Sequence, residues 1–272
     1  MICADSLNDA GLILALNGAD ERLQITLGRL AAGTTDAATG DPAEAELLAS
    51  QEWTVPGQAM RFLAPGIGHM LDALGAKAQD IRAIVCVHGP GSFTGLRMSL
   101  ALAEGLAAGT GARLAGVGHL ELLAYEAAHT AAGAVLALSW SRRGQVYAQA
   151  FQSDQALTPP TVVCLTTLPE FLAPLPRPLY VLGGGLRRNL PVFQELALKD
   201  VGLRLLPPLW DAPRPQTLLA LAARASFGPG PLLPVYLRAS DAEDNLAAIA
   251  AGRGLSEPEA QAILARGSRT LS

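Results

Sequence analysis

Gly89-Pro90-Gly91-Ser92-Phe93-Thr94-Gly95-Leu96-Arg97 lies between an apolar run, Ile84-Val85-Cys86-Val87, and a helical pattern, so a glycine turn opens a helix there. Free N–H groups and the positive dipole end of such a helix could hold a phosphate. A P-loop, however, needs four residues between two glycines and then Lys followed by Ser or Thr, whereas Gly95 is followed by Leu96 and Arg97. Without that lysine the turn reads first as a device that sets the helix, with Ser92 or Thr94 as its cap. Ser92 does not sit in a G-x-S-x-G pattern, and no histidine or aspartate can be assigned to it as a catalytic partner. The four histidines, His69, His88, His119 and His129, form no metal-binding pair. His119 and His129 fall on one expected helix but stand about 15 Å apart. Gly183-Gly184-Gly185, between an expected strand and helix, fits a nucleotide contact or simply a tight turn.

The elements that would position these groups come in two similar series. Residues 11–17, 21–29 and 46–55 read as three strands, followed by a helix at 58–74, the strand, turn and helix around residue 90, and a strand at 113–117. After a helix at 119–131, strands at 134–141, 145–152 and 161–166 repeat the meander, with helix 168–174, strand 179–182 and helix 186–198 behind them. The expected fold is therefore α/β, with two similar lobes of βββαβαβ type, the layout of the actin-like ATPase and ribonuclease H-like superfamily. Residues 1–118 make the first lobe, 119–244 the second and 245–272 an extension, in which Ser256 and Glu259 have capping-box spacing for a short helix to about Arg266. Pro207 to Pro215 reads as a rigid connection, and helix 216–227 is expected to pack back on the first lobe.

The chain of 272 residues carries 20 Lys plus Arg against 24 Asp plus Glu, a net charge of −4, with no basic stripe of the kind that would grip a nucleic acid unaided. The pairs Arg142-Arg143 and Arg187-Arg188 read as solvated loop charges. Hydrophobic residues make up 50% and charged residues 16%, which leaves apolar surface for a partner. Cys3, Cys86 and Cys164 have neither disulfide nor metal spacing and are expected as buried free thiols. No apolar run reaches the length of a membrane span and the first residues carry no basic leader, so a cytoplasmic protein is expected.

The two helices flanking the central strand carry more apolar surface than one core requires. Met60, Leu63, Ile67, Met70 and Leu74 step by 3 and 4 and form an a/d seam; Pro65 should bend that helix or shift its start. On helix 94–108, Met98, Leu102 and Leu106 fall on one side, Leu96, Leu100 and Ala107 on another, with Gly95, Ser99 and Ala103 between, an apolar arc of close to 200°, about twice what one core needs. Either both helices cover only their own sheet and each other, or one side serves a partner; the sequence does not say which side.

The turn Gly89 to Arg97 resembles the signature of the TsaB family, also called YeaZ. Leu14-Ala15-Leu16-Asn17, Arg142-Arg143-Gly144-Gln145-Val146-Tyr147 and Pro234-Val235-Tyr236-Leu237-Arg238 follow in the family's order, so the likeness spans about residues 11–244. It implies an actin-like fold and a non-catalytic subunit that pairs directly with TsaD to make threonylcarbamoyladenosine at position 37 of tRNA. TsaC and TsaE would act in the same pathway, tRNA would be met only through the complex, and the chain would self-pair when alone. The implied interface is Met60, Leu63, Ile67, Met70, Gly95, Arg97, Met98, Ser99, Leu102 and Leu106. No cofactor is expected to bind this chain tightly, ATP or ADP at the partner interface being the one nucleotide left open. Relatives often carry Asp where Asn17 stands and His where Gln58 stands, and actin-like ATPases place an acidic residue at the end of the first strand. That departure argues against the alternative of an autonomous small ATP-dependent kinase or degenerate hydrolase.

Overall fold

The computed structural model describes residues 11–30, 45–228 and 231–238, together with Ala250 and Ser256. Cys3, the loop at 31–44 and the expected helix at 256–266 lie outside them, apart from Ser256 itself. The chain divides into two units, Met1–Val235 and Tyr236–Ser272. In the second, Ala250 is helical and buried, and Tyr236 and Ser256 are exposed.

The first unit is built on two sheets. Strand β1 (Leu12–Asn17) is buried at every residue and pairs antiparallel with β2 (Arg22–Leu30), which pairs antiparallel with β3 (Ala45–Thr54). On its other side β1 runs parallel to β4 (Ile81–Gly89), and β4 parallel to β5 (Arg113–Gly118), giving the order β3-β2-β1-β4-β5. A near-continuous apolar strand is what a sheet covered on both faces demands. Leu12, Leu14 and Leu16 point to one face, under α1 (Met60–Leu74) and α2 (Phe93–Thr110); Ile13 and Ala15 point to the other, under Leu122 of α3 (His119–Thr130) and Leu218, Leu219 and Ala222 of α7 (Pro215–Arg224).

The second sheet repeats the plan. Strand β6 (Ala134–Arg142) pairs antiparallel with β7 (Gln145–Gln152), which also pairs with β8 (Gln155–Ala156) and β9 (Thr161–Cys164). Parallel to β6 lie β10 (Leu179–Leu182) and then β11 (Leu203–Leu205). Helices α4 (Leu168–Leu172), α5 (Gly184–Arg188) and α6 (Leu190–Lys199) cover this sheet around a core that includes Leu136, Leu138, Val181 and Phe193. Helix α3 contacts both sheets. Two copies of one meander-plus-parallel arrangement are the actin-like, ribonuclease H-like fold expected from the element order.

Four details depart from expectation. The short strands β8 and β11 carry too few residues to show a period. The helix expected at 186–198 is two helices, broken at Asn189, whose Nδ2 donates to the Gly185 carbonyl at 2.8 Å while Pro191 opens the second. Helix α1 starts at Met60, two residues later than expected, and runs to Leu74 through Pro65, which lies on the exposed face. Proline removes one helical bond there, and water can satisfy the freed carbonyl. Cys86 is buried as expected, its thiol pKa driven well up by burial, but Cys164 is only half-buried.

Candidate functional site

The turn from Gly89 to Thr94 is fastened to the loop after β1. The Ser92 N–H donates to the Ala19 carbonyl at 2.7 Å, and the Ser92 hydroxyl caps α2 by accepting from the Gly95 N–H at 3.3 Å. Backbones approach so closely that a Cβ on Gly91 would lie 2.2 Å from the Ala19 oxygen, and one on Gly95 2.1 Å from the Gly18 oxygen. The glycines of the signature are thus required for packing, and two donors that a phosphate would need are already used. Gly95, expected at a partner interface, is committed inside the chain. Thr94 is exposed, and Phe93, 40% exposed, carries the Arg97 guanidinium over its ring at 3.9 Å.

The two helices beyond that turn divide their residues sharply. Leu63, Ile67 and Met70 are buried against β1 and β2, and Ser99 is buried with Leu96, Leu100 and Ala103. Leu63, Ile67, Met70 and Ser99, expected at a partner interface, are thus buried within this chain, and the a/d seam faces its own sheet. Met98, Leu102 and Leu106 are half-buried at the margin of the same core, and of Met60 only the backbone is described. The outward face is made of Ala64, Gly68, Ala73, Ala101, Gly105 and Ala108, flanked by the exposed Arg61, His69, Asp72 and Arg97. A Cβ on Gly68, Gly105 or Gly109 would meet nothing within 4 Å. No internal contact explains these three helical glycines, each of which costs about 1 kcal/mol relative to alanine.

A cleft with a volume of about 200 Å³ opens between the two sheets. Asn17, 2% exposed, ends β1 at its edge; its Nδ2 donates to Gln24 Oε1 at 2.7 Å and its Oδ1 accepts from the Ala19 N–H at 3.2 Å. Gln24 Nε2 in turn donates to Glu52 at 2.8 Å and to the Pro213 carbonyl at 2.7 Å. Across the cleft Arg188 pairs with Glu21 and Arg187 with Asp211, whose other oxygen accepts from the Gly183 N–H at 3.1 Å. The three glycines 183–185 pack tightly: added Cβ atoms would strike the Leu138 and Ser139 carbonyls and the Asp20 carboxylate. His119 lines the cleft at the start of α3, and burial lowers its pKa. Among the described residues no three His, Cys, Asp or Glu side chains gather as a metal site, and no helix is long and apolar enough to cross a membrane.

Sequence reasoning passed over Asp20, Gln24, Asp211 and the cleft position of His119. They come from loops and element ends far apart in the chain, and no spacing links them.

The model of the family described as TsaD, tRNA N6-adenosine threonylcarbamoyltransferase, matches residues 55–159, from before α1 to beyond β8. The Bacillus subtilis (strain 168) tRNA threonylcarbamoyladenosine biosynthesis protein TsaB is 30% identical over 184 residues, covering 66% of this chain and 79% of that one. The chain belongs to the TsaB family. The Escherichia coli (strain K12) protein of the same name is 35% identical over 101 residues, 37% of this chain and 44% of that one. YeaZ from Pseudomonas aeruginosa superposes with a TM-score of 0.60 at 22% identity, over 84% of this chain and all of its own. A second solved structure, described as similar to peptidase YEAZ from Pseudomonas aeruginosa, gives 0.62 at 24% with the same coverage. At those identities the TsaB fold alone is shared.

Proposed function

We propose that this TsaB-family chain is a non-catalytic subunit of threonylcarbamoyladenosine biosynthesis on tRNA, and that it holds TsaD through the outward faces of α1 and α2. The observation that carries this reading is the open face of small residues, with Gly68, Gly105 and Gly109 free of neighbours on two adjacent helices. Helix axes approach one another most closely where side chains at the contact are small. The TsaB relatives are named for this pathway, and the TsaD family model matches the segment that contains both helices.

The catalytic step then falls to TsaD and the activated donor to TsaC, with TsaE completing the set. The cleft supports a non-catalytic role: Asn17 stands where an ATPase would need an acid, and both of its polar atoms are bound within the chain. With a net charge of −4, tRNA is met through the complex, and ATP or ADP, if used, is held where the partner joins. In the absence of TsaD the same helical face pairs with a second copy, and the site of action is the cytoplasm. The test is co-purification of TsaD with tagged wild-type chain and with Ala101→Glu. The exposed position leaves folding intact, so loss of TsaD from a normally folded variant is expected. Undiminished capture would overturn the helical interface.

A further inference from the structure

One carboxylate lining the cleft between the sheets stands outside the ion pairs there. Arg22 is paired with Glu52, Arg187 with Asp211 and Arg188 with Glu21, so each guanidinium there has its own carboxylate. Asp20 is left over. Its Oδ1 accepts the Glu21 N–H at 2.7 Å, its Oδ2 lies over Gly184, 2.8 Å from where a Cβ there would stand, and among the described residues no cation is paired with it. Facing the same space is His119, 1% exposed, with neither ring nitrogen hydrogen-bonded. Buried polar atoms without partners cost about 1–3 kcal/mol each, so an imidazole in the lining of the cleft with both nitrogens unpartnered calls for a group to bond to.

We propose that Asp20 and His119 form a binding site in the cleft for the protonated amine of a small molecule. The neutral imidazole offers one acceptor nitrogen, and the carboxylate offers acceptors and the uncompensated negative charge. An alkylammonium supplies three N–H donors and one positive charge, which meets both needs at once. A divalent metal ion fits less well, because among the described residues no third His, Cys, Asp or Glu joins these two. The cleft, about 200 Å³, has room for a small ligand.

The experiment follows the imidazole C–H proton resonances of the full chain. His119 is identified as the signal that remains unaffected when His69, His88 and His129 are replaced one at a time. Methylammonium chloride is titrated in, with tetramethylammonium chloride matching the charge without N–H donors and magnesium chloride testing for a metal. Expected is a saturable shift of the His119 signal with methylammonium alone, weakened at least tenfold in Asp20→Asn. Gly184→Ala, which crowds the Asp20 carboxylate without changing charge, should weaken it too and serves if Asp20→Asn does not fold. A shift that never saturates, that tetramethylammonium reproduces, that survives both substitutions, or that magnesium produces at lower concentration would each overturn the proposal.

Discussion

The cleft between the sheets and the outward face of α1 and α2 are built on opposite principles. In the cleft nearly every polar group is tied to another group of the chain: Asn17 to Gln24, Gln24 to Glu52 and Pro213, Arg187 to Asp211 and Arg188 to Glu21. On the helical face exposed alanines and glycines predominate, and a Cβ added to Gly68, Gly105 or Gly109 would meet nothing within 4 Å. A cleft whose polar groups are mostly bonded within the chain, beside a helical face of small residues, is what the proposed role of a subunit working through its outer surface requires.

The largest effect should come from one step around α2. Leu100 is 4% exposed in the core of the first sheet, whereas its neighbour Ala101 is exposed. Leu100→Glu forces an unpaired charge into that core at a cost of several kcal/mol against a total stability of about 5–15 kcal/mol, so loss of soluble folded protein is expected. Ala101→Glu should melt as the wild type does while failing to retain TsaD. Thermal melts and pull-downs on the pair measure both. Equal melting temperatures would erase the distinction between an inner and an outer side of this helix.

The second comparison concerns Asn17. Asn17→Asp puts an acid at the end of β1, but it removes the donor to Gln24 Oε1. Gln24 cannot turn its amide to compensate without giving up its bonds to Glu52 and Pro213. A buried unsatisfied pair costs about 1–3 kcal/mol, and so a melting temperature lower by roughly 2–10 °C is expected, with no gain of ATP hydrolysis. An undisturbed melt, or new turnover, would show that the cleft is less committed than its hydrogen bonds imply.

Much of this division was legible in the residues, though unevenly. The fully buried β1 reads as an unbroken apolar run, and the duplication of strand order shows in the element sequence because each lobe repeats one period change from 2 to 3.6. The a/d seam of α1 was also legible, but periodicity names a face without naming what covers it, and Leu63, Ile67 and Met70 turned out to meet β1 and β2. Glycines told less still: Gly91 and Gly95 are fixed by carbonyls of a loop more than seventy residues away, while Gly68 and Gly105 are fixed by nothing. The cleft was the least legible region, since Asp20, His119, Arg187 and Asp211 converge only through the packing of both lobes.

Acid should act on the inner groups and spare the outer face. Burial lowers the folded-state pKa of His119 and of His88; the Asp20 charge opposes this for His119, and Arg187 and Arg188 line the same cleft. The unfolded chain, with histidines near 6.5, therefore binds more protons than the folded one once the pH falls below that value. Stability should be level above about pH 6.5 and decline below it, toward the lowered folded values. Burial raises the Glu121 carboxyl and gives the opposite sign at lower pH, so urea midpoints are best compared between pH 7.5 and 6. In Asp20→Asn the decline should steepen, because the one carboxylate favouring the charged imidazole is gone. A flat profile would mean that His119 is solvated in solution.

The smallest effect separates stability from assembly most cleanly. Gly68→Ala and Gly105→Ala place a methyl group where nothing lies within 4 Å, on helix interiors where alanine is favoured by about 1 kcal/mol. Each free variant should therefore be slightly more stable than the wild type, with a melting temperature higher by roughly 2–4 °C. If those glycines are kept so that a partner helix can come close, the same methyl groups must push it outward and weaken retention of TsaD, and the double variant should do so more than either single one. Gain of stability with loss of partner is the expected pair of outcomes, measured by calorimetry and by binding titration. Gain of stability with unchanged affinity would leave the glycines unexplained and move the interface off this face of α1 and α2.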